Sequence, residues 1–306
     1  MDYMLWELNF KAMRILVSGA TGFIGGRLSK ALSQDYEVFG LSRHPQELMG
    51  DVNFIFADLS NPGFSKNLPA EIDCVVHLAQ SSMYRDFPKG AVDMLKVNVD
   101  ATLELLEWAR KSYVKKFIFT STANVYQSSS QKLIESANTS PSSFYGASKL
   151  AAEHLVRQYE NYFGSVILRL FSVYGPGQEK MLIQNMIERV ESENTITLAG
   201  GQGVHLTPIY IDDVVNIIKR FIDDYEVNKT GHCIFNLCGN EVLSLNNIVN
   251  IIEGLMKRPA IINKTNDQIT YFLGNNELLL SFLGNYNFFD FKAGIEKTIF
   301  SRTPFN

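Results

Sequence analysis

The segment that most constrains the fold is residues 14–34, where a short apolar run passes through three glycines into an amphipathic stretch. Residues 14–18 have the character of a buried β-strand, GATGFIG follows at 19–25, and apolar residues then recur at helical spacing. Glycines at these positions permit a tight turn, a close approach of the backbone to a bound group, and close packing of the helix on the strand. A unit of this kind predicts a parallel α/β sheet.

The rest of the first half repeats the alternation of strand and helix. Short runs rich in Val, Ile, Leu and Phe are separated by amphipathic segments long enough to cross over a sheet. The predicted strands are 14–18, 37–41, 53–56, 74–78, 116–120 and 165–170, and the predicted helices are 23–34, 93–111 and 145–162. This order predicts the α/β fold class, with a Rossmann-type, doubly wound parallel sheet.

The rhythm changes after the Gly-Pro-Gly sequence at 175–177. A helix is predicted at 181–192 and a strand at 195–198, and a glycine-rich turn follows. We expect the segment 208–238, with a strand at 233–237, to return to the main sheet. The predicted organisation is an N-terminal extension (1–12), a main domain (13–174 with 208–238), and a smaller, partly interleaved C-terminal substrate lobe (175–207 and 239–306).

Composition narrows the function classes. Hydrophobic residues at 46%, charged residues at 20% and a net charge of -4 are ordinary for a globular protein and argue against a nucleic-acid surface. No apolar run reaches the roughly 18 residues that span a bilayer, and the opening residues lack a basic signal-peptide region. Cys74, Cys233 and Cys238 lie in strand-like surroundings typical of buried free thiols. We therefore expect a cytoplasmic protein with no membrane partner, no nucleic-acid partner and no metal site.

The glycine turn predicts a dinucleotide cofactor. The N-terminus of the helix after the turn faces the position where a pyrophosphate would lie. An acidic residue at the end of the second strand would select NAD, but this chain has Ser42 and Arg43 there. A hydroxyl and a guanidinium suit a 2′-phosphate, so NADP is preferred and NAD is possible. The alternative is that Arg43 is a solvated surface charge. Asp58, after the third strand, is a candidate for the adenine.

The catalytic signal is the sequence YGASK at 145–149. Tyr145 and Lys149 lie one helical turn apart, and an ammonium beside a phenol favours the phenolate. Thr122 follows the strand 116–120, where its hydroxyl could bind the same substrate oxygen as Tyr145. Ser121 could share or take that role. This set predicts acid–base chemistry on a hydroxyl or carbonyl, coupled to redox.

These segments together resemble the extended short-chain dehydrogenase/reductases, and within them the nucleotide-sugar epimerase/dehydratase group. The resemblance extends from residue 13 to about 300 and is carried by GATGFIG at 19–25, VVHLA at 75–79, FTSTANVY at 119–126, YGASK at 145–149, LRLFSVYGPG at 168–177, IYIDDVV at 209–215 and FNLCG at 235–239. It implies redox at C4 of a nucleotide sugar, with Tyr145 as acid/base, Lys149 as its tuner and Thr122 as hydroxyl partner. It also implies a homodimer formed by the helices at 93–111 and 145–162.

The residues expected at the site follow from the motifs and the resemblance. Thr122, Tyr145 and Lys149 are the catalytic candidates. The cofactor candidates are Gly19, Thr21, Gly22, Phe23, Ile24, Gly25, Ser42, Arg43, Asp58, Leu59, Leu78, Ala79, Asn98 and Lys149, and the substrate candidates are Ser81, Ser82, Ser172 and His205.

The sequence also departs from the family pattern. Dehydratases of the group carry Asp and Glu directly after the catalytic threonine, whereas this chain has Ala123 and Asn124, which disfavours dehydration. Ser172 replaces an asparagine and Leu206 an arginine that bind the substrate diphosphate in relatives, and His205 or Arg189 could compensate.

The remaining hypotheses are a 4-epimerase and a 4-ketoreductase. A non-catalytic, NADP-responsive binding protein and a reductase of a non-nucleotide carbonyl are the alternatives. The loss of the two diphosphate contacts motivates the binding-protein alternative.

Overall fold

The computed structural model describes residues 12–44, 50–224 and 234–301. Within them a seven-stranded parallel sheet has the order β11-β6-β5-β4-β1-β2-β3. Its strands are β1 (Arg14–Ser18), β2 (Glu37–Ser42), β3 (Val52–Phe56), β4 (Cys74–His77), β5 (Lys116–Thr122), β6 (Gly164–Leu170) and β11 (Ile234–Leu237). The α/β fold class with a Rossmann-type doubly wound sheet is confirmed.

Helices cover both faces of this sheet, and side chains of each strand alternate between two apolar layers. On β1, Ile15 and Val17 belong to one layer and Leu16 to the other. The covering helices are α1 (Phe23–Leu32), α2 (Ala91–Leu95), α3 (Ala101–Lys111), α4 (Phe144–Gln158) and α6 (Ile211–Asp223). Because both faces are buried, each central strand contains a run of apolar residues, which made the strands recognisable in the sequence.

A third apolar cluster lies outside the sheet and holds the C-terminal elements together. Its helices are α5 (Leu182–Glu191), α7 (Leu245–Met256) and α9 (Phe291–Phe300), and α8 (Glu277–Leu283) packs on β11. The short strands are β7 (Val173–Tyr174), β8 (Ile196–Ala199), β9 (His205–Leu206), β10 (Ile209–Tyr210), β12 (Leu243–Ser244), β13 (Ile262–Thr265) and β14 (Tyr271–Phe272).

The segment between residues 208 and 238 connects the two parts. Helix α6 packs against α1 and β5, and β11 extends the central sheet beside β6. Residues 1–11 of the predicted N-terminal extension, and Cys233 at the start of a predicted strand, lie outside the described residues. Cys74 and Cys238 are buried free thiols. Among the described residues, no helix combines the length and apolar character needed to cross a membrane.

The largest difference from the predicted elements is in the segment 93–111. A widened, π-helical turn at Lys96–Asp100 interrupts it, between α2 and α3. The Asn98 carbonyl accepts a hydrogen bond from the Thr102 hydroxyl at 2.8 Å, and the Asn98 side chain is directed inward to other partners. Widened turns of this kind often lie at functional sites.

Candidate active site

A cavity of about 870 Å³ lies where the carboxyl ends of β1, β4 and β5 meet. Ligands of open α/β sheets bind at this edge because the loops after the strands converge there. Most of the residues predicted from the sequence line it: Gly19, Thr21, Gly22, Phe23, Ile24, Gly25, Ser42, Arg43, Asp58, Leu59, Leu78, Ala79, Ser81, Ser82, Thr122, Tyr145 and Ser172.

The glycine turn forms one end of this cavity. Gly19 has φ +70°, and a Cβ there would lie 2.9 Å from the Ala79 nitrogen; a Cβ on Gly25 would lie 2.0 Å from the Gly19 oxygen. No side chain larger than hydrogen fits either position. Helix α1 begins after Gly22 without a side-chain cap, so its first amides are available to an anion. This cradle fits a dinucleotide pyrophosphate.

The end of the second strand is organised by Ser42. Its hydroxyl donates to the His44 carbonyl at 2.7 Å and accepts from the His44 amide at 3.2 Å. Arg43 lines the cavity beside it. The Asp58 carboxylate accepts hydrogen bonds from the Ser60 amide at 3.0 Å and the Ser60 hydroxyl at 2.8 Å, so it fixes its own turn at the cavity wall.

The catalytic pair forms because α4 packs tightly on the turn after β5. The Ser143 hydroxyl caps α4 by accepting from the Gly146 amide at 3.1 Å, and a Cβ on Gly146 would lie 2.3 Å from the Asn124 carbonyl oxygen. This close approach brings Tyr145, in the first turn of the helix, to the same cavity wall as Thr122.

Asn124 determines how the Thr122 hydroxyl is oriented. Its backbone amide and its side-chain amide both donate to the Thr122 oxygen, at 3.2 and 3.1 Å. A hydroxyl has two lone pairs and one proton, so the Thr122 proton is left to donate to an oxygen in the cavity. Burial raises the pKa of Tyr145, whereas the hydrogen bond from Thr122 lowers it.

Lys149 lies one turn further along α4, behind the wall of the cavity. It is 2% exposed, and its Nζ is 4.2 Å from the centre of the Phe119 ring. Burial lowers the pKa of Lys149 to about 7, and the carboxylate of Glu153 partly opposes this. Lys149 therefore changes its charge near neutral pH.

Asn98 also lies behind the wall, where it ties the cavity to the catalytic helix. Its Oδ1 accepts from the Ser81 amide at 2.9 Å, and its Nδ2 donates to the Ser148 hydroxyl at 2.9 Å. Ser148 in turn donates to the Tyr145 carbonyl at 2.8 Å. The structure thus gives Asn98 a contact with the site through its neighbours.

Leu206 and Ser172 both line the cavity. His205 is not among the lining residues, because alternate side chains of a strand point to opposite sides, and its ring lies 5.1 Å from that of Tyr271. Arg189 donates to the Thr195 carbonyl at 2.6 Å and does not line the cavity either. Neither residue is placed to compensate for the missing contacts.

Sequence reasoning missed three polar residues of the loop after β4. The Tyr145 hydroxyl donates to Gln80 Oε1 at 2.6 Å, and the Tyr84 ring lies 5.3 Å from the Tyr145 ring. Arg85 donates to the Lys180 carbonyl at 2.7 Å and lines the cavity. Their position directly after a predicted strand was the signal that could have revealed them.

Comparison with known proteins settles the family. The sequence profile described as "NAD dependent epimerase/dehydratase family" matches residues 15–238, which is most of the chain. The chain belongs to this family.

Members of the epimerase/dehydratase family from several organisms cover nearly the whole chain. A protein of Bacillus subtilis strain 168 named "Uncharacterized UDP-glucose epimerase YtcB" is 30% identical over 82% of this chain and 84% of its own. A "GDP-6-deoxy-D-talose 4-dehydrogenase" of Aggregatibacter actinomycetemcomitans is 29% identical over 93% of this chain and 96% of its own.

A solved structure of the same family has a closely similar fold. It is a UDP-glucuronic acid 4-epimerase from Bacillus cereus, in complex with UDP-glucuronic acid and NAD, with a TM-score of 0.84 and 28% identity. The alignment covers 94% of this chain and 98% of that one. This chain is therefore an enzyme of the extended short-chain dehydrogenase/reductase type.

Within this family the environment of Thr122 argues against dehydration. The two positions after it hold a buried Ala123 and an Asn124 whose side chain is bonded to Thr122. Elimination of water needs a carboxylate to move a proton at the neighbouring carbon, and these residues supply none. The structure therefore supports redox at one carbon.

Proposed function

We propose that the protein is an NAD(P)-dependent 4-epimerase of a nucleotide-activated sugar. The observation that carries the proposal is the Tyr145 phenol and the Thr122 hydroxyl on the wall of one cavity, with an alanine and an amide at the two positions where a dehydratase has carboxylates. The names of the relatives point the same way, since UDP-sugar 4-epimerases are among them.

The chain's own residues supply the proton chemistry. Tyr145, as the phenolate, takes the proton of the sugar C4 hydroxyl, and later returns it as the phenol. Thr122 donates to the same oxygen and holds it in place, and the Lys149 charge favours the phenolate. A bound nicotinamide would supply the acceptor and donor of the hydride. Return of the hydride to the opposite face of C4, with return of the proton from Tyr145 to the 4-oxygen, gives the epimer with no net redox change.

The first test compares variants that lose only a hydroxyl. Tyr145→Phe removes the proton-transfer atom, so we expect turnover of UDP-glucose or UDP-glucuronate to fall at least 1000-fold while dinucleotide binding stays within about twofold. Tyr113→Phe is the matched control, because Tyr113 is 89% exposed. Unchanged turnover in Tyr145→Phe would refute the proposal. A wild-type protein inactive on a broad nucleotide-sugar panel would favour a binding protein or another carbonyl substrate.

We further propose a preference for NADP over NAD. Gly19, Gly22 and the N-terminus of α1 hold the pyrophosphate, and Arg43 beside Ser42 meets the 2′-phosphate. Arg43→Ala is expected to weaken NADP binding about tenfold or more and to leave NAD binding unchanged. Calorimetric titration of both cofactors checks this. Tighter binding of NAD than of NADP by the wild-type protein would contradict it.

A second candidate function is a 4-ketoreductase. The pair Ser42 and Arg43 favours it, since NADPH is the usual donor for net reduction, and the relative named as a 4-dehydrogenase is similar over almost its whole length. A ketoreductase consumes one NADPH for each 4-keto sugar, whereas an epimerase turns over without added reductant. Stoichiometry of cofactor consumption separates the two.

Substrate binding, assembly and location are also proposed. Among the described lysines and arginines, Arg43 and Arg85 line the cavity, so we assign to Arg85 the positive charge on the substrate side. We propose a homodimer through α3 and α4, where Leu103 is exposed on α3 and Tyr162 is exposed in the turn after α4. Sedimentation velocity at micromolar concentration is expected to show a dimer, and a monomer would contradict it.

The free thiols Cys74 and Cys238 fit a cytoplasmic enzyme.

A further inference from the structure

The loop after β4 carries one residue that contacts a reacting atom and that the proposed chemistry has not used. Gln80 Oε1 lies 2.6 Å from the Tyr145 hydroxyl oxygen. Gln80 lines the cavity and its side chain is exposed, so no packing forces it against the phenol.

The backbone holds Gln80 in this position from both sides. The amide of Ala79, before it, donates to the Ser18 hydroxyl at 3.2 Å, and the amide of Ser81, after it, donates to Asn98 Oδ1 at 2.9 Å. The side chain of Gln80 therefore extends towards Tyr145 from a backbone that is held on both sides. A group presented this way is preorganised.

Each hydrogen bond around the phenol has a defined donor and acceptor. Both lone pairs of the Thr122 oxygen are occupied by donors from Asn124, so Thr122 acts towards the cavity only as a donor. The Tyr145 proton then has Gln80 Oε1 as its acceptor. Asn124 thus donates to Thr122, and Tyr145 donates to the carboxamide oxygen of Gln80.

This order has a consequence for epimerisation. After the first proton transfer Tyr145 is a neutral phenol that donates to the 4-keto oxygen of the sugar. The keto oxygen must then leave the Tyr145 hydroxyl so that the sugar ring can turn and present the other face of C4. Without a second acceptor, the phenol would lose a hydrogen bond inside the cavity, and an unpaired polar group there is costly.

We propose that Gln80 Oε1 accepts a hydrogen bond from the Tyr145 hydroxyl whenever no sugar oxygen does so. The 4-keto sugar can then leave Tyr145 and turn from one face to the other. This inference rests on the proposed 4-epimerase function. The covalent O–H bond of the phenol stays intact in this exchange. The hydroxyl turns its hydrogen bond from the keto oxygen to Gln80 Oε1, and turns it back before the second proton transfer.

The first experiment needs neither cofactor nor substrate. Protein containing tyrosine labelled with ¹³C at Cζ is examined by NMR, and the Tyr145 resonance is identified by its absence in Tyr145→Phe. Gln80→Leu, which keeps the size and removes the acceptor, is expected to shift this resonance, whereas Gln80→Glu, which keeps an acceptor oxygen, retains a hydrogen-bonded phenol. An unshifted resonance in Gln80→Leu would overturn the assignment.

The second experiment separates the two halves of the reaction. Rapid mixing with a nucleotide sugar measures the first oxidation by the nicotinamide absorbance, and quenched samples measure the epimer. In Gln80→Leu we expect the first oxidation within about twofold of wild type and epimer formation lowered about tenfold, the effect of one lost hydrogen bond. Gln80→Glu is expected to restore the ratio of the two rates to within about twofold.

Equal loss of both rates in Gln80→Leu, or no loss of either, would refute the role of Gln80 in turning the intermediate. A thermal melt of each variant confirms that it folds. If wild-type protein turns over no nucleotide sugar, the proposed function fails, and the NMR result still decides whether Gln80 accepts the Tyr145 proton. The two failures are thus distinguishable.

Discussion

The buried ammonium of Lys149 makes a prediction that links catalysis to stability. Lys149 is 2% exposed, and the nearby Glu153 carboxylate is already paired with Arg169 at 2.7 Å. Replacing Lys149 with Met keeps the side-chain length and removes the charge. We expect Lys149→Met to be more stable than wild type and to lose most of its turnover.

The size of the stabilisation follows from the pKa. Burial lowers the pKa of Lys149 from 10.5 to about 7, and each pH unit corresponds to about 1.4 kcal/mol, so the full penalty is about 5 kcal/mol. Below pH 7 the folded protein carries this penalty entirely, because the lysine is charged in both states. Between pH 7 and 10.5 only the unfolded chain remains protonated, so the penalty falls with rising pH and vanishes above 10.5.

The assay is urea unfolding of cofactor-free protein at two pH values. The advantage of Lys149→Met in free energy of unfolding is expected to be about 5 kcal/mol at pH 6 and about 2 kcal/mol at pH 9. Lys111→Met is the control, since the Lys111 side chain is 68% exposed and its replacement has little effect at either pH. A destabilised Lys149→Met, or an advantage that grows with pH, would refute the reasoning.

Two further predictions concern stability alone and are measured by thermal and urea denaturation. Gly25→Ala is expected to cost more than 3 kcal/mol, roughly the scale of severe overpacking, because its Cβ would lie 2.0 Å from the Gly19 oxygen, whereas Gly254→Ala, in open space on α7, is expected to gain about 0.5–1 kcal/mol. A tolerated Gly25→Ala would contradict the close packing of the turn. Glu153→Gln leaves the buried Arg169 without its ion pair at 2.7 Å and is expected to cost about 3 kcal/mol; a neutral effect would show that the pair is dispensable.

The strands of the central sheet were predictable because parallel strands buried on both faces are apolar along their whole length. Strand β1 begins and ends where the sequence predicts, and β5 extends two residues further, to Thr122. The grouping of Thr122 and Tyr145 was also predictable, since the first follows a strand and the second begins a helix at the same edge of the sheet.

Other features depend on contacts that leave no local pattern. The π-helical turn at Lys96–Asp100 lies in a segment whose sequence is continuous with the helices on either side. The bond between Gln80 and Tyr145 joins residues 65 positions apart, and the orientation of His205 is set by a two-residue strand between two partners. Three expectations stay predictions: the domain boundaries, the NADP preference and the homodimer. The last two depend on groups outside this single chain, namely a bound cofactor and a second subunit.

The central claim is reversible redox at C4 of a nucleotide sugar with Tyr145 as the proton-transfer residue. Its most direct test is incubation of the purified enzyme with UDP-glucose or UDP-glucuronate carrying deuterium at C4. We expect the 4-epimer with deuterium retained at C4, and no product from Tyr145→Phe. Loss of the deuterium to solvent, or equal epimer formation by Tyr145→Phe, would contradict it.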